Sequence, residues 1–220
     1  MIRIAITGNI GSGKSTISQL FENNGIPVFN TDKCSREAEE ESSIQLGFKR
    51  IIDEDIFIDG KLDRDRLRSI IFTNKDKLRE ITNLITPYIK KSFEDFCEKH
   101  NDKGIVMLES AILFENSHEK NFDYIITVTA TENTRIRRVI NRDKVTLETV
   151  MNKLANQLPE LEKVSKSNFV VVNDGYDLID SLELLTKQVE AIVKAIKYDL
   201  LMKKADDLGE ALNDYKKTNE

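Results

Sequence analysis

Five short apolar runs, rich in isoleucine and valine, alternate with longer segments whose apolar residues recur at helical spacing. Each run is too short and too uniformly apolar to be an amphipathic helix. Runs of this kind are typical of strands buried on both faces. The pattern predicts an α/β fold, a five-stranded mostly parallel sheet with helices on both faces, whose strands are Ile2 to Thr7, Ile26 to Phe29, Ile105 to Leu108, Tyr124 to Val128 and Phe169 to Val172.

The segments between the strands predict how residues 1–220, taken as a single domain, are organised. Residues 35–101 are helical in spacing and strongly charged, which predicts a helical insertion between two strands. Residues 131–166 form a second, shorter insertion that can serve as a lid, and residues 203–220 form a polar C-terminal tail. The last long helix is expected to pack on the sheet through a stripe at Leu178, Leu182, Leu185, Val189, Ile192 and Ile196.

A glycine-rich segment, AITGNIGSGKST, follows the first predicted strand and leads into a predicted helix. Its Gly8-x-x-x-x-Gly13-Lys14-Ser15 spacing is that of a P-loop, and the strand and helix around it are the context that this loop requires. Glycines let successive backbone N–H groups point at phosphate oxygens, and the helix adds its positive dipole end. We therefore expect the loop to bind a nucleoside triphosphate, with Lys14 bridging the β- and γ-phosphates and the Ser15 hydroxyl on Mg²⁺.

Charge and composition exclude several other classes of function. The net charge of −5 argues against broad nucleic-acid binding, which needs a dense basic surface. No apolar run approaches the roughly 18 residues of a membrane helix. Neither a leader segment nor a metal-binding cysteine pair is recognisable, and Cys34 and Cys97 are expected to be reduced thiols of a cytoplasmic protein.

Three classes of P-loop protein can be compared on their further residues. A GTPase should carry Asn-Lys-x-Asp, whereas Asn74-Lys-Asp-Lys77 has the wrong fourth residue. A non-kinase ATPase stays open, because Glu109 at the end of a strand could activate water. A small-molecule kinase needs an acceptor-side carboxylate and cationic groups for the moving phosphoryl group. Asp32, just after the second strand, and the arginine-rich run Thr134 to Arg142 meet both needs.

The ordered set of sequence motifs resembles the dephospho-coenzyme A kinase family over most of the chain. The resemblance rests on TGNIGSGKST, Asp32, Gly60-Lys-Leu-Asp-Arg64 with Leu67 and Phe72, Leu113-Phe-Glu115, Arg138, Arg142-Asp143, Gln157 and Val172-Asn-Asp-Gly175. It implies a P-loop kinase of the nucleoside-monophosphate-kinase type that transfers the γ-phosphate of ATP to the ribose 3′-hydroxyl of dephospho-coenzyme A. A nucleoside or nucleotide kinase of related fold is the alternative.

The resemblance also implies roles for individual residues. Asp32 is expected to be the catalytic base and an acceptor contact, together with Arg64 and Glu115, although a helix-start position for Arg64 and a structural position for Glu115 explain them equally well. Lys14 and Arg138 are expected to assist transfer, Arg142 to contact ATP, and Asn173 to approach the nucleotide base. The residues expected to bind the triphosphate are Gly8, Asn9, Ile10, Gly11, Ser12, Gly13, Lys14, Ser15 and Thr16.

Three positions depart from the family pattern on the acceptor side. Asn30 stands where a carboxylate is usual, Thr86 where a histidine is usual, and Ala111 where a proline is usual. Gln157 is expected to pack within the lid and is not assigned to the site. The donor is therefore specified more closely by the sequence than the acceptor.

Overall fold

The computed structural model describes residues 1–175 and 178–218, with the side chains of 72–73, 178–180 and 209–218 left aside. Phe72 and Leu178, which the sequence analysis named, thus lie outside the described side chains. In chain order the strands are β1 (Ile2–Thr7), β2 (Val28–Asn30), β3 (Phe57–Ile58), β4 (Lys61–Leu62), β5 (Ile105–Glu109), β6 (Tyr124–Thr129) and β7 (Phe169–Val172). The helices are α1 (Lys14–Asn23), α2 (Thr31–Ala38), α3 (Ser42–Ile51), α4 (Arg64–Thr73), α5 (Lys75–Lys99), α6 (Glu132–Asp143), α7 (Leu147–Ala155), α8 (Glu160–Ser165) and α9 (Leu178–Thr218).

The chain divides into two compact units. The first, which we call the nucleotide unit, comprises Met1–Val28 and His100–Glu220, and the second, the helical unit, comprises Phe29–Lys99. The sequence analysis proposed bounds of 35–101 for a helical insertion, so the two descriptions differ by a few residues at each end.

A five-stranded sheet has the order β2-β5-β1-β6-β7, and its strands β5, β1, β6 and β7 form the centre of the nucleotide unit. Strand β1 pairs in parallel with β5 and β6, and β6 pairs in parallel with β7. The predicted α/β fold is confirmed, and all five predicted strands are present. The prediction for β2 began two residues early, because Ile26 and Pro27 precede the strand rather than open it.

The apolar runs form strands because both faces of the sheet are covered. Ile4, Ile6 and Met107 are fully buried in the main core, which includes α1 residues such as Phe21 and the buried stripe of α9. A second cluster contains Ala5, Leu113, Phe114 and Ile125. Burial on both faces makes alternation with polar residues unnecessary, which explains the uniform runs.

The apolar stripe predicted for the last helix is only partly buried, and so are the apolar residues of α7. Among the side chains of α9 that the structure describes, from residue 181 to residue 208, the first buried one is Leu185, whereas Leu182 is 50% exposed. In α7, Val150 is fully buried but Leu147 and Met151 are exposed and line a groove with α6. Helix α9 continues through the region predicted as a polar tail and ends at Thr218.

The helical unit has an apolar core of its own. Phe48, Ile56, Leu67 and Ile81 are buried in it, and the partly buried Ile70 and Ile71 pack against it. A short antiparallel hairpin, β3 with β4, was not predicted; its two-residue strands are too short to show a period of two.

Candidate nucleotide-binding site

The P-loop adopts a backbone that only glycine accommodates at three positions. Gly8, Gly11 and Gly13 have φ angles of 148°, 81° and 90°. A Cβ atom at Gly8 would lie 2.3 Å from the Val128 carbonyl oxygen, and one at Gly13 would lie 2.2 Å from Asn173 Nδ2. The glycines therefore permit both the curl of the loop and its close approach to neighbouring segments.

The side chains that follow the curl point back to the loop and the sheet. Lys14 Nζ donates to the carbonyl oxygen of Gly8 at 2.8 Å. Ser15 Oγ donates to Oε1 of Glu109 at 3.1 Å, and Glu109 ends strand β5 with only 8% of its surface exposed. Lys14 thus has its ammonium group at the loop, and Ser15 lies beside a buried carboxylate.

This arrangement fits a bound Mg²⁺ ion. A hydroxyl beside a carboxylate offers the oxygen ligands that Mg²⁺ prefers, directly or through water. Ser12 Oγ is buried and has no hydrogen-bond partner in the part of the chain that the structure describes, so the loop retains unused polar capacity. Within residues 1–175 and 178–218 no group of three or more His, Cys, Asp and Glu side chains could hold a metal. Phosphate oxygens and water would have to complete the coordination of Mg²⁺.

Arg138 and Asn173 form one hydrogen-bonded network with the P-loop. Asn173 Nδ2 donates to the Ser12 carbonyl at 2.8 Å. Arg138 Nη1 donates to the Asn173 carbonyl at 2.9 Å and to the Gly11 carbonyl at 3.5 Å. Burial is the main influence on the pKa of Arg138 and lowers it, with Asp174 acting in the opposite direction, yet a guanidinium remains charged. The network places a cation beside the loop that would hold phosphate.

The four arginines of α6 lie in four different environments. Arg135 is 5% exposed and its Nε donates to the Ala130 carbonyl. Arg137 is exposed and lines the groove toward α7. Arg142 is held by Asp143 through bonds of 2.6 and 3.0 Å, and the hydrogen bond from Arg142 is the main cause that lowers the pKa of Asp143. Arg138 alone among the four makes a described hydrogen bond to the P-loop backbone.

Gln157 and Leu158 are P-loop contacts that the sequence analysis missed. Gln157 Oε1 accepts the backbone N–H of Ile10 at 2.8 Å. The Leu158 carbonyl accepts from Asn9 Nδ2 at 3.2 Å. The expectation that Gln157 packs only within the lid is therefore wrong. Its one sequence signal was its place among the family-like motifs, which carries no information about a partner 147 residues away.

Glu115 lies in a buried ion pair of the nucleotide unit. Its Oε1 accepts from Lys163 Nζ at 2.7 Å and from the Leu158 N–H at 3.0 Å. Lys163 is fully buried and also donates to the carbonyl of Ala111. These contacts support the structural role that the sequence analysis left open for Glu115. A contact between Glu115 and the acceptor stays a prediction.

The other two acceptor-side candidates, Asp32 and Arg64, belong to the helical unit. Asp32 is exposed in the first turn of α2, two residues after the end of β2. Asn30 caps the same helix, and its Oδ1 accepts the Lys33 N–H at 2.9 Å. Arg64 forms an ion pair with Glu39, and Thr86 Oγ1 donates to the Thr82 carbonyl one turn earlier.

The guanine-motif near miss has a structural explanation. Asn74 Oδ1 accepts the N–H groups of Asp76 and Lys77, so it caps the start of α5. Lys77 forms an ion pair with Asp53 at 3.1 Å. The segment is a helix start, which agrees with its rejection as a nucleotide motif.

Helices long and apolar enough to cross a membrane are absent from the described residues, 1–175 and 178–218.

Comparison with known proteins agrees with the fold and with the loop. A sequence model of the family described as dephospho-CoA kinase matches residues 2–178. Dephospho-CoA kinases of Bacteroides fragilis and Fusobacterium nucleatum are similar to the chain, the first with 32% identity over 79% of this chain and 85% of the relative, the second with 31% over 88% and 97%. A solved structure of a Thermus thermophilus protein superposes with a TM-score of 0.76 at 32% identity, covering 86% of this chain and 96% of that one.

These matches run through both units and nearly the whole length of the relatives, which a shared P-loop by itself would not produce. The resemblance stated from the sequence motifs is confirmed: the chain belongs to the dephospho-CoA kinase family, whose members are ATP-dependent kinases.

Proposed function

We propose that this member of the dephospho-CoA kinase family transfers the γ-phosphoryl group of ATP in line to the ribose 3′-hydroxyl of dephospho-CoA, with Mg²⁺ as cofactor. The observation that carries the proposal is the network of Arg138, Asn173 and the P-loop backbone. It holds a guanidinium beside the loop that is expected to bind phosphate, and positioning plus charge stabilisation account for most catalysis of phosphoryl transfer.

Each P-loop residue then has a task. Backbone N–H groups of the loop and the N-terminus of α1 bind the phosphates. Lys14, whose ammonium group lies at the loop, exchanges its carbonyl partner for β- and γ-phosphate oxygens. Mg²⁺, when bound, neutralises phosphate charge, and Ser15 with Glu109 would hold it. Thr16, exposed in the first turn of α1, completes the set assigned to the nucleotide.

On the acceptor side, Asp32 is the proposed base that accepts the proton of the 3′-hydroxyl. Its support is an exposed carboxylate placed directly after a strand, and chain position in the family pattern. Arg64 and Glu115 are assigned to the acceptor on the same family pattern, and each acts through a side chain already fixed by an ion pair. Arg142 is assigned to ATP from the lid side, and residues 131–166 to the lid itself.

A cytoplasmic enzyme acting on small molecules fits this assignment. Cys34 and Cys97 are both buried free thiols, the state expected of cysteines in a reducing compartment.

A single assay separates the candidate reactions. The protein is incubated with ATP and Mg²⁺ and with dephospho-CoA, a panel of nucleoside monophosphates, or no acceptor, and ADP and phosphorylated product are measured. We expect product only with dephospho-CoA. Phosphorylation of a monophosphate instead would refute the acceptor, and rapid ADP release without any acceptor would favour the ATPase alternative in which Glu109 activates water.

A further inference from the structure

The segment 156–159 between α7 and α8, which we call the strap, contacts the P-loop at two consecutive residues. Gln157 Oε1 accepts the N–H of Ile10 at 2.8 Å, and the Leu158 carbonyl accepts from Asn9 Nδ2 at 3.2 Å. Both contacts span more than 140 residues of sequence. The strap is therefore placed to influence the conformation of the loop.

The strap is itself anchored on the opposite side. The Leu158 N–H donates to Glu115 Oε1 at 3.0 Å, and Glu115 is held by the fully buried Lys163 at 2.7 Å. The Leu158 side chain packs against the cluster that contains Leu113 and Phe114. With these polar and apolar anchors, the Gln157 oxygen is held at a defined place rather than on a loose loop.

The P-loop has a reason to need such support. Three of its residues are glycines at positive φ, and glycine is the residue with the most backbone freedom in the absence of ligand. A hydrogen bond to Ile10, between Gly8 and Gly11, restricts that freedom. Holding a site in its bound conformation before the ligand arrives strengthens binding, because less ordering accompanies association.

We propose that Gln157 is a positioning residue for the nucleotide: its amide oxygen holds the Ile10 N–H and so keeps the P-loop in its phosphate-binding curl before ATP binds. This role rests on the proposed function of the P-loop, which is to bind ATP. It adds Gln157 to the residues that support this function. Gln157 acts through the loop backbone and is not assigned a contact with ATP.

The neighbouring Asn156 provides a matched control. It is exposed, and its Nδ2 donates to the Asn152 carbonyl within α7 at 2.8 Å. Asn156→Ala thus removes an amide side chain from the same strap without touching a described P-loop contact. Gln157→Met keeps the length of the side chain but removes the acceptor.

Binding and kinetics are measured on the full chain with Mg²⁺ present. For Gln157→Met we expect the Kd of both ATP and ADP to rise roughly tenfold, because a partly buried N–H loses its partner and the loop becomes less ordered. The Kd of dephospho-CoA should stay within about twofold, and kcat at saturating ATP within about threefold, since bound triphosphate restores the loop. For Asn156→Ala all four constants should equal those of the unaltered protein.

Two results would overturn the role of Gln157. One is an ATP Kd in Gln157→Met within twofold of the unaltered protein. The other is an equal loss of dephospho-CoA and ATP binding, which would indicate general destabilisation. Amide exchange of the unaltered protein without nucleotide gives a further test that does not depend on the variant folding: an Ile10 amide that exchanges as fast as an unstructured one would also refute the proposal.

These measurements are separable from the proposed reaction. ATP binding, ADP binding and Ile10 exchange require no acceptor. Failure of the unaltered protein to phosphorylate dephospho-CoA would therefore refute the proposed function and leave the loop measurements to decide on Gln157.

Discussion

The phosphate-binding region and the helical unit Phe29–Lys99 are stabilised in different ways. The first name denotes the P-loop together with the residues that bond to it, Arg138, Gln157, Leu158 and Asn173. Polar contacts between distant residues hold the first: Asn173 bonds to Ser12 across 161 residues, and Gln157 to Ile10 across 147. The second has its own apolar core around Phe48 and Leu67, and its ion pair between Arg64 and Glu39 spans only 25 residues.

The two regions should therefore differ in how well they tolerate substitutions. A substitution in the phosphate-binding region removes a partner from a network in which several carbonyl and N–H groups depend on one another. In the helical unit, by contrast, Asn30 and Thr86 make local bonds to their own helices. These two bonds, at positions that depart from the family pattern, involve no residue of the phosphate-binding network.

The largest effect should come from Arg138. Replacing it in Arg138→Met removes the cation that the network holds beside the P-loop, and we expect kcat/KM with dephospho-CoA to fall at least about a thousandfold, as for arginines that stabilise phosphoryl transfer. Steady-state kinetics with Mg²⁺ and ATP measure it. The neighbouring exposed Arg137, as Arg137→Met, should stay within about threefold. Equal losses in the two variants would mean that α6 contributes general positive charge rather than one positioned guanidinium.

The variant Lys163→Met tests whether the buried ion pair between Lys163 and Glu115 stabilises the protein. In Lys163→Met the Glu115 carboxylate stays in a largely buried place without its cation, so the free energy of unfolding should fall by about 3 kcal/mol or more. For a chain of this size that lowers Tm by roughly 6 to 12 °C in a thermal scan.

Lys166 supplies the matched control for Lys163. It directly follows α8 as its C-cap and forms an exposed pair with Glu162 of that helix, so Lys166→Met should change stability by less than about 1 kcal/mol. Similar Tm values for the two variants would show that the buried pair contributes no more than a surface pair.

Replacement of Asp32 tests whether the helical unit also contributes to catalysis. We expect Asp32→Asn to lower kcat by at least about a hundredfold, the usual contribution of a general base, while the Kd of ATP is unchanged. Asp65, an exposed aspartate in the first turn of α4, is the matched control as Asp65→Asn and should retain full activity. Unchanged turnover in Asp32→Asn would remove this residue from the mechanism and leave catalysis to the phosphate-binding region.

The smallest effect is expected at Asn30. Asn30→Asp keeps an oxygen that accepts the Lys33 N–H, so the free energy of unfolding should stay nearly unchanged. The KM for dephospho-CoA should change less than about threefold. Asn30→Ala removes the cap and should cost about 1 kcal/mol of stability, measured by urea unfolding. A large gain in activity from Asn30→Asp would show that the carboxylate usual in the family has a catalytic part that this chain lacks.

Strands and loop were predictable because their signals are local. The run Ile2 to Thr7 matches β1 residue for residue, and Phe169 to Val172 matches β7, since burial on both faces leaves a continuous apolar run. The Gly8 to Ser15 spacing predicts its own backbone because only glycine tolerates the φ angles found there. By contrast, Leu182 was expected in the core and is exposed, because periodicity does not show where a helix first meets its sheet.

The sequence by itself determined the fold class, the phosphate-binding loop and the family, all of which depend on the order and spacing of residues along the chain. Tertiary structure decided which of the four α6 arginines reaches the loop, that Glu115 pairs with the buried Lys163, and that Gln157 holds Ile10. Each of these depends on a partner brought close by packing of the sheet and its helices. Spacing along the chain carries no information about such a partner until the chain has folded.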